Sequence, residues 1–302
     1  MNVISESHPA SQSNTCWVCG SPNLVVVKPA NLTDTLTSQS FAITDSHYGQ
    51  TGEIQRCQNC GFFQCSRLDN VLSFYEQLED IGYEETRDER MLQARKLLET
   101  LQKYRSSGTL LDIGAGSGIL VEAALEMGYD AQGIEPSRWL QEQARKYQLP
   151  VRLGHFPDPN CRQTYGIVTL IDVIEHVPNP AEVVAGVAEI LSEDGIVAVA
   201  TPDVNSIAAR ILQWKWWHFR VAHIGYFNTQ TLDRIMETAG FERMKMIRPT
   251  WYFPVEYLLE RLAKYFPFRL PISAPNWLKK IIVPLNLRDS ILGIYQLKRK
   301  AE

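Results

Sequence analysis

From Thr109 to Ala200, apolar runs of strand length alternate with segments of helical period, and this order leaves few folds open. Strands read as Thr109 to Gly114, Asp130 to Glu135, Val151 to Leu153, Gly166 to Ile171 and Gly195 to Ala200. Between them, Ile119 to Met127, Trp139 to Tyr147 and Pro180 to Leu191 read as helices. Strands joined through helices run parallel, so the pattern predicts an α/β sheet covered on both faces. Beyond it, Thr229 to Gly240 reads as a helix, while Phe241 to Phe253 and Ser290 to Lys298 read as two late strands completing a seven-stranded sheet. Pro254 to Arg288 reads as an insertion.

The first strand runs into Asp112-Ile113-Gly114-Ala115-Gly116-Ser117-Gly118 immediately before a helix. Bare backbone there lets a ligand approach the N–H groups closely, which implies a nucleotide-like molecule. The dinucleotide fingerprint needs its third glycine one place later, where this chain has Ile119. Asp112 also suits a ligand bearing an ammonium group better than one bearing pyrophosphate. The second strand ends in Glu135, 17 residues after Gly118, where a carboxylate can accept from both ribose hydroxyls.

Three stretches together, Leu110-Leu111-Asp112-Ile113-Gly114-Ala115-Gly116-Ser117-Gly118, Gly133-Ile134-Glu135-Pro136-Ser137 and Asp172-Val173-Ile174-Glu175-His176-Val177, resemble the class I S-adenosylmethionine-dependent methyltransferases. The resemblance spans roughly residues 72 to 250 and the last strand. It implies a Rossmann-like fold with S-adenosylmethionine as cofactor. It puts Asp112, Gly114, Gly116 and Gly118 under the methionine moiety, Glu135 on the ribose and Asp172 beside the cofactor. His155 and Phe156 fall at the adenine, where Phe156 can stack.

Near the N-terminus, Cys16-x-x-Cys19-Gly20 and Cys57-x-x-Cys60-Gly61 form two knuckles 37 residues apart. Two-residue gaps let both sulfurs of a pair reach one ion, and four thiolates favour tetrahedral zinc, with iron left open. A closed sulfur shell has no position for water, so the metal is expected to be structural, holding residues 1–66 as a zinc-ribbon module. Cys65 and Cys161 read as small apolar fillers, and His47 as an ordinary histidine. Residues 67–108 read as a helical linker carrying Phe74, Tyr75 and Tyr83, and 109–302 as the transferase domain with its insertion at about 254–288.

Methyl transfer to an alcohol or a carbon acid needs a proton removed, and histidine is the usual base near neutral pH. His223, in His223-Ile224-Gly225-Tyr226-Phe227-Asn228 before the Thr229 helix, fits a substrate-facing base. His176 is expected to have a structural or binding role, and His218 could serve either way. The His223 segment also resembles the zinc-bearing sugar C-methyltransferases, whose motif reads Tyr-x-Glu-His-x-x-Tyr-Phe. His223, Tyr226 and Phe227 match, whereas Arg220 and Ala222 replace the Tyr and the Glu. Transfer to a hydroxyl keeps the histidine and dispenses with the second acid, so O-methylation of a carbohydrate, free or nucleotide- or lipid-linked, is expected ahead of C-methylation. Of Trp214, Trp216 and Trp217, two are expected in the core, and aromatic walls also suit sugar faces.

Charge weighs against a nucleic-acid partner: Met1 to Cys65 holds two basic residues (Lys28, Arg56) against four acidic ones, and the chain carries a net −4. An RNA methyltransferase is therefore the rival reading, and a non-catalytic cofactor-binding scaffold the second. From Pro254 to the end, nine Lys or Arg face four acids, and Val255, Leu258, Leu259, Leu262 and Phe266 recur at helical period. Such a segment acts as a lid, a homodimer contact or a peripheral membrane contact. Met1 to Asn14 shows no basic cluster followed by an apolar stretch, and a cytoplasmic protein is expected.

Overall fold

The computed structural model describes residues 15–32, 35–44, 48–66, 71–161, 163–263 and 281–298. Three strands come first, β1 (Leu24–Lys28), β2 (Ile54–Cys57) and β3 (Phe63–Cys65), then helices α1 (Val71–Glu76), α2 (Ile81–Glu85) and α3 (Arg87–Leu101). The alternating part follows as β4 (Thr109–Ile113), α4 (Ile119–Glu126), β5 (Asp130–Glu135), α5 (Arg138–Lys146), β6 (Val151–Leu153), β7 (Tyr165–Ile171), α6 (Pro180–Ile190) and β8 (Leu191–Pro202). After it come α7 (Ile207–Leu212), β9 (Gly225–Tyr226), α8 (Thr229–Thr238), β10 (Phe241–Ile247), β11 (Trp251–Pro254), α9 (Val255–Ala263), β12 (Ile282–Leu285) and β13 (Ser290–Leu297).

Successive side chains of a strand point to opposite faces, and the two cores divide on that parity. Leu111 and Ile113 of β4, with Val197 and Val199 of β8, pack on one face against Val183, Val184 and Val187 of α6 and Leu232 of α8. Leu110, Ile196 and Ala198 pack on the other against Leu98 and Leu101 of α3 and Val121 of α4. The main sheet has the order β10-β13-β8-β7-β4-β5-β6, parallel from β8 to β6, with β13 antiparallel to both of its neighbours, β8 and β10. β4 and β7 run parallel, but β5 and β6 are laid down on one side of β4, and β7 and β8 on the other; this switch in strand order opens a crevice at the carboxyl ends of β4 and β7, where ligands bind in such sheets. This is the seven-stranded α/β fold expected from the alternation.

Two late elements depart from expectation. Phe241 to Phe253 is not one strand. Pro249 has no N–H to give a ladder, and beyond Ile247 the chain leaves the sheet. The aromatic run of β11 pairs instead with β12, Trp251 opposite Leu285 and Phe253 opposite Val283, closing the base of the insertion. Phe266, Trp277, Leu278 and the basic residues at 264, 269, 279, 280, 299 and 300 lie outside the described residues, as do His47 and residues 1–14. No helix among the described residues is long and apolar enough to cross a membrane.

The cysteine-bearing strands join the rest of the chain through backbone. The order β1-β2-β3-β9 makes a four-stranded antiparallel sheet in which Phe63 lies opposite Tyr226 and Gln64 opposite Gly225. Phe41, Ile54, Cys65, Trp216, Phe219 and Tyr226 fill a third core beneath it. Of the three tryptophans only Trp216 is fully buried. Trp214 is 36% exposed, and Trp217 is half-buried, so one rather than two belongs to the core.

Candidate functional site

A cavity of about 910 Å³ opens at the β4/β7 crevice. Asp112, Gly114, Gly116, Glu135, Phe156 and Asp172 line it, together with His155, His176, His218 and His223. Helices α1 to α3 roof it with Tyr75, Tyr83 and Arg90, and β11, α9 and β12 supply an apolar wall that includes Trp251, Phe253, Leu258 and Leu285.

Glu135 is the fixed point of the first half. It is 5% exposed, accepts from Gly116 N at 2.7 Å through Oε2 and from Ser137 N at 2.8 Å through Oε1. Each carboxylate oxygen has two acceptor positions, so one on each remains for an adjacent pair of hydroxyls. Asp112, also 5% exposed, accepts from Thr169 Oγ1 at 2.6 Å. Burial pushes both carboxyls up to about 7, against the pull of those hydrogen bonds. Two buried acids held this way fit a ligand that brings positive charge and hydroxyl donors.

The glycines divide in function. At Gly116, where φ is +56°, a Cβ would come within 2.8 Å of Tyr83 Oη, so this glycine lets the roof close on the turn. Tyr83 in turn carries the Arg90 guanidinium 4.0 Å above its ring. Gly118, at φ +79°, lies against Leu149 and Val151, with 2.8 Å from a Cβ to Leu149 Cδ1; it serves the packing of α4 on β6 and is not among the residues lining the cavity. The residues fit S-adenosylmethionine as the sequence implies: bare backbone at Gly114 and Gly116, and acids at 112 and 135.

In the second half, three segments far apart in sequence meet. His223, 6% exposed, has its ring 4.7 Å from that of His176, edge to face, and 5.5 Å from that of His218, stacked. His176 Nδ1 lies 2.7 Å from Ala222 O and 2.6 Å from Tyr75 Oη. The carbonyl can only accept, so Nδ1 carries the proton and Nε2 keeps its lone pair. Burial pushes His176 down to about 3 and His223 well below the usual histidine range, and the Arg220 charge adds to both. Both rings are neutral at neutral pH, which is the form able to take a proton. Glu175 is buried beside them, with Oε2 accepting from Thr201 Oγ1 at 3.0 Å and Oε1 without a partner. His155 Nε2 lies 2.8 Å from Glu76 Oε1 at the far end.

The sequence singles out His223 as the base and gives His176 a structural or binding role; the geometry brings the two rings into contact within one cavity. Arg90 and Glu175 were missed as site residues. Glu175 stands inside the Asp172 to Val177 stretch, and its signal is a carboxylate in a run otherwise fated for burial. Arg90 sits on a charged helix, where sequence offers no signal.

The four expected metal ligands converge. Cys16 Sγ lies 3.5 Å from Cys60 Sγ, and Cys19 Sγ 3.6 Å from Cys57 Sγ. A tetrahedral zinc with Zn–S of about 2.3 Å sets sulfurs ~3.8 Å apart, so the donor set fits the metal. Burial alone would raise the Cys57 thiol, but the backbone N–H groups of Cys60 and Asn59 overcome it and bring it down to about 7. Cys57 therefore offers a ready thiolate, whereas burial pushes Cys60 up to about 11 and raises Cys16 as well. Cys65 is buried among apolar neighbours, as a filler should be.

Residues 83–245, more than half the chain, match the family described as a methyltransferase domain. A ubiquinone biosynthesis O-methyltransferase from Photobacterium profundum is 32% identical over 149 residues, 47% of this chain and 58% of that protein. Its counterpart in Psychrobacter arcticus is 30% identical over 106 residues, 32% of this chain and 41% of that protein. The chain thus spans about half the length of the curated relatives it matches. Among solved structures, the complex between the Haloferax volcanii Trm112 methyltransferase activator and a methyltransferase aligns at 15% identity over 77% of this chain and 100% of that one, with a TM-score of 0.51, a likeness of fold.

Proposed function

The chain belongs to the methyltransferase-domain family, and from that membership we propose that it transfers a methyl group from S-adenosylmethionine to a hydroxyl of a small acceptor, a sugar or a nucleotide- or lipid-linked sugar. One observation carries the reading. A single cavity joins the Gly116 and Glu135 end to the His176 and His223 end, so donor and acceptor can share it.

When bound, S-adenosylmethionine supplies an electrophilic methyl on a sulfonium centre. Glu135 holds ribose hydroxyls through its two remaining acceptor positions, and Asp112 faces the ammonium group. Arg90, held over Tyr83 and bonded through Nε to Thr86 Oγ1 at 3.1 Å, is the cation for the methionine carboxylate. His223 takes the acceptor proton, and His176, fixed by Ala222 O and Tyr75 Oη, positions the His223 ring. Alignment of two reactants in one closed site converts a bimolecular encounter into a unimolecular step, worth up to about 7–11 kcal/mol. The apolar wall of β11 and β12 favours the lipid-linked members of the acceptor class. O-transfer is favoured over C-transfer because position 222 is Ala, where the motif of the C-methyltransferases has an acid. The O-methyltransferase names of the relatives agree with this. Zinc in the four-cysteine site is structural in this reading.

The test is incubation with radiolabelled S-adenosylmethionine and a panel of nucleotide sugars, lipid-linked sugars and RNA, comparing wild type with His223→Ala. Label in carbohydrate that depends on His223 supports the reading. Label entering RNA alone selects the nucleic-acid alternative, and donor binding without turnover on any acceptor selects a scaffold.

A further inference from the structure

Arg220 occupies the position where the C-methyltransferase motif has Tyr, and among the described residues it has no counter-ion in contact. It is 8% exposed. Nη1 donates to Ile43 O at 3.0 Å and Nη2 donates to Ala42 O, both neutral acceptors, and Nε–H is buried without a partner. Of its five N–H donors two are bonded to described residues. Among the described residues no carboxylate lies within ion-pair distance of the guanidinium. Asp172 and Glu175 feel its charge from further away, and burial drives both toward their neutral forms. A buried cation left this way is costly unless something else supplies the opposite charge.

Its surroundings say where that charge would sit. Arg220 lines the cavity with His176, His218 and His223, the half assigned to the acceptor, and its charge is felt by both His176 and His223. At the other end Arg90 already stands over Tyr83, whose hydroxyl closes on Gly116 in the donor turn. Each half of the cavity therefore has its own arginine. We propose that Arg220 is an anion subsite for the acceptor, which carries a carboxylate or phosphate close to the hydroxyl that is methylated. The inference rests on the reading of this cavity as a donor and acceptor site, and it narrows the acceptor to an acidic or phosphorylated molecule. Guanidinium pairs strongly with both oxyanions, and a site built around it rejects neutral analogues because the buried donors would stay unpaired. An oxyanion here would also offset the Arg220 charge that depresses His223, making that ring a stronger base when acceptor is bound.

The probes are benzoate, phenyl phosphate and the neutral isostere benzamide, titrated calorimetrically at low salt into protein saturated with S-adenosylhomocysteine. Wild type is expected to bind at least one of the two anions tenfold or more tightly than benzamide, and the stronger of the two identifies the oxyanion. Arg220→Gln is expected to erase that preference and Arg220→Lys to retain part of it, with the S-adenosylhomocysteine Kd unchanged in both. Equal binding of anions and amide by wild type overturns the proposal, as does an anion preference that survives in Arg220→Gln. A tenfold loss of S-adenosylhomocysteine affinity in either variant also overturns it, since Arg220 would then belong to the donor. If Arg220→Gln does not fold, the wild-type comparison of anion with amide and the Arg220→Lys variant decide. Failure of wild type to bind S-adenosylhomocysteine overturns the donor reading instead, and the same titrations on the free protein still read the anion subsite.

Discussion

Cys65 donates its backbone N–H to the Ile224 carbonyl at 2.7 Å, so the strand that follows the second cysteine knuckle is bonded directly to the residue after His223. Phe63 and Gln64 continue the contact across Tyr226 and Gly225. The cysteine site is thereby a backbone support for the His176 and His223 half of the cavity, whereas Gly116 and Glu135 stand at the ends of β4 and β5, which share an apolar core with Cys16, Cys57 and Phe62 but belong to a different sheet.

Losing the metal should therefore separate two functions. Cys57→Ser is expected to carry less than one zinc per chain by atomic absorption and to melt at lower temperature. Methyl transfer should fall at least tenfold, while the Kd for S-adenosylhomocysteine stays within about threefold. Full zinc content in the variant would remove the four-cysteine assignment.

Donor binding should depend on pH in a fixed direction. Asp112 and Glu135 are pushed up to about 7 by burial, above their values of 3.8 and 4.5 in an unfolded chain. Between those limits the folded protein holds protons that the unfolded chain has lost, so stability of the free protein declines as pH rises toward about 7. Binding needs the carboxylates charged, so S-adenosylhomocysteine affinity should rise as pH goes from 6 to 8, by up to about tenfold per unit for each group, then level off. Calorimetry at pH 6, 7 and 8 measures it, and Glu135→Gln should weaken binding at pH 8 and flatten the curve. An affinity independent of pH would show that neither carboxylate meets the donor.

What the sequence disclosed and what it withheld divide along one line. The β4 to β8 alternation, the Asp112 to Gly118 turn, Glu135 and the cysteine knuckles are local patterns, each written within a few residues, and the structure brings each to its expected place in the fold. The meeting of Tyr75, His176 and His223 spans 148 residues and depends on how α1 and β9 pack, which no local pattern records. The β3/β9 pairing is hidden because Gly225 and Tyr226 are too short a strand to leave a signal. Trp251 to Phe253 has the residues of a strand, but which partner it takes depends on Pro249 and on the distant Ile282–Leu285.

His223 and its supports should rank in a defined order. His223→Ala is expected to lower kcat by about 10²–10⁴, the usual worth of a general base, with donor Kd unchanged. Tyr75→Phe removes the hydroxyl at 2.6 Å from His176 Nδ1 but leaves Ala222 O as a partner. Its loss should be smaller, about 1 kcal/mol or five- to tenfold in kcat. Steady-state kinetics on the acceptor found by the radiolabel panel gives both. Equal turnover by His223→Ala would take the histidine out of the mechanism.

Gly116 and Gly118 should fail in different ways when replaced by alanine. Both hold left-handed backbone, so each variant carries strain of about 1–3 kcal/mol. At 118 the new methyl also meets Leu149 and Val151 in packed interior, and the damage should appear as a lowered Tm with donor affinity nearly intact. At 116 the methyl meets the end of the Tyr83 side chain, which can swing away, but in doing so it lifts Arg90 and the roof off the donor turn. Gly116→Ala should then bind S-adenosylhomocysteine at least tenfold more weakly for a smaller loss of Tm than Gly118→Ala shows. Thermal melts and calorimetry on the pair decide it: weakened donor binding in Gly118→Ala at unchanged Tm would move that glycine from packing into the donor cradle.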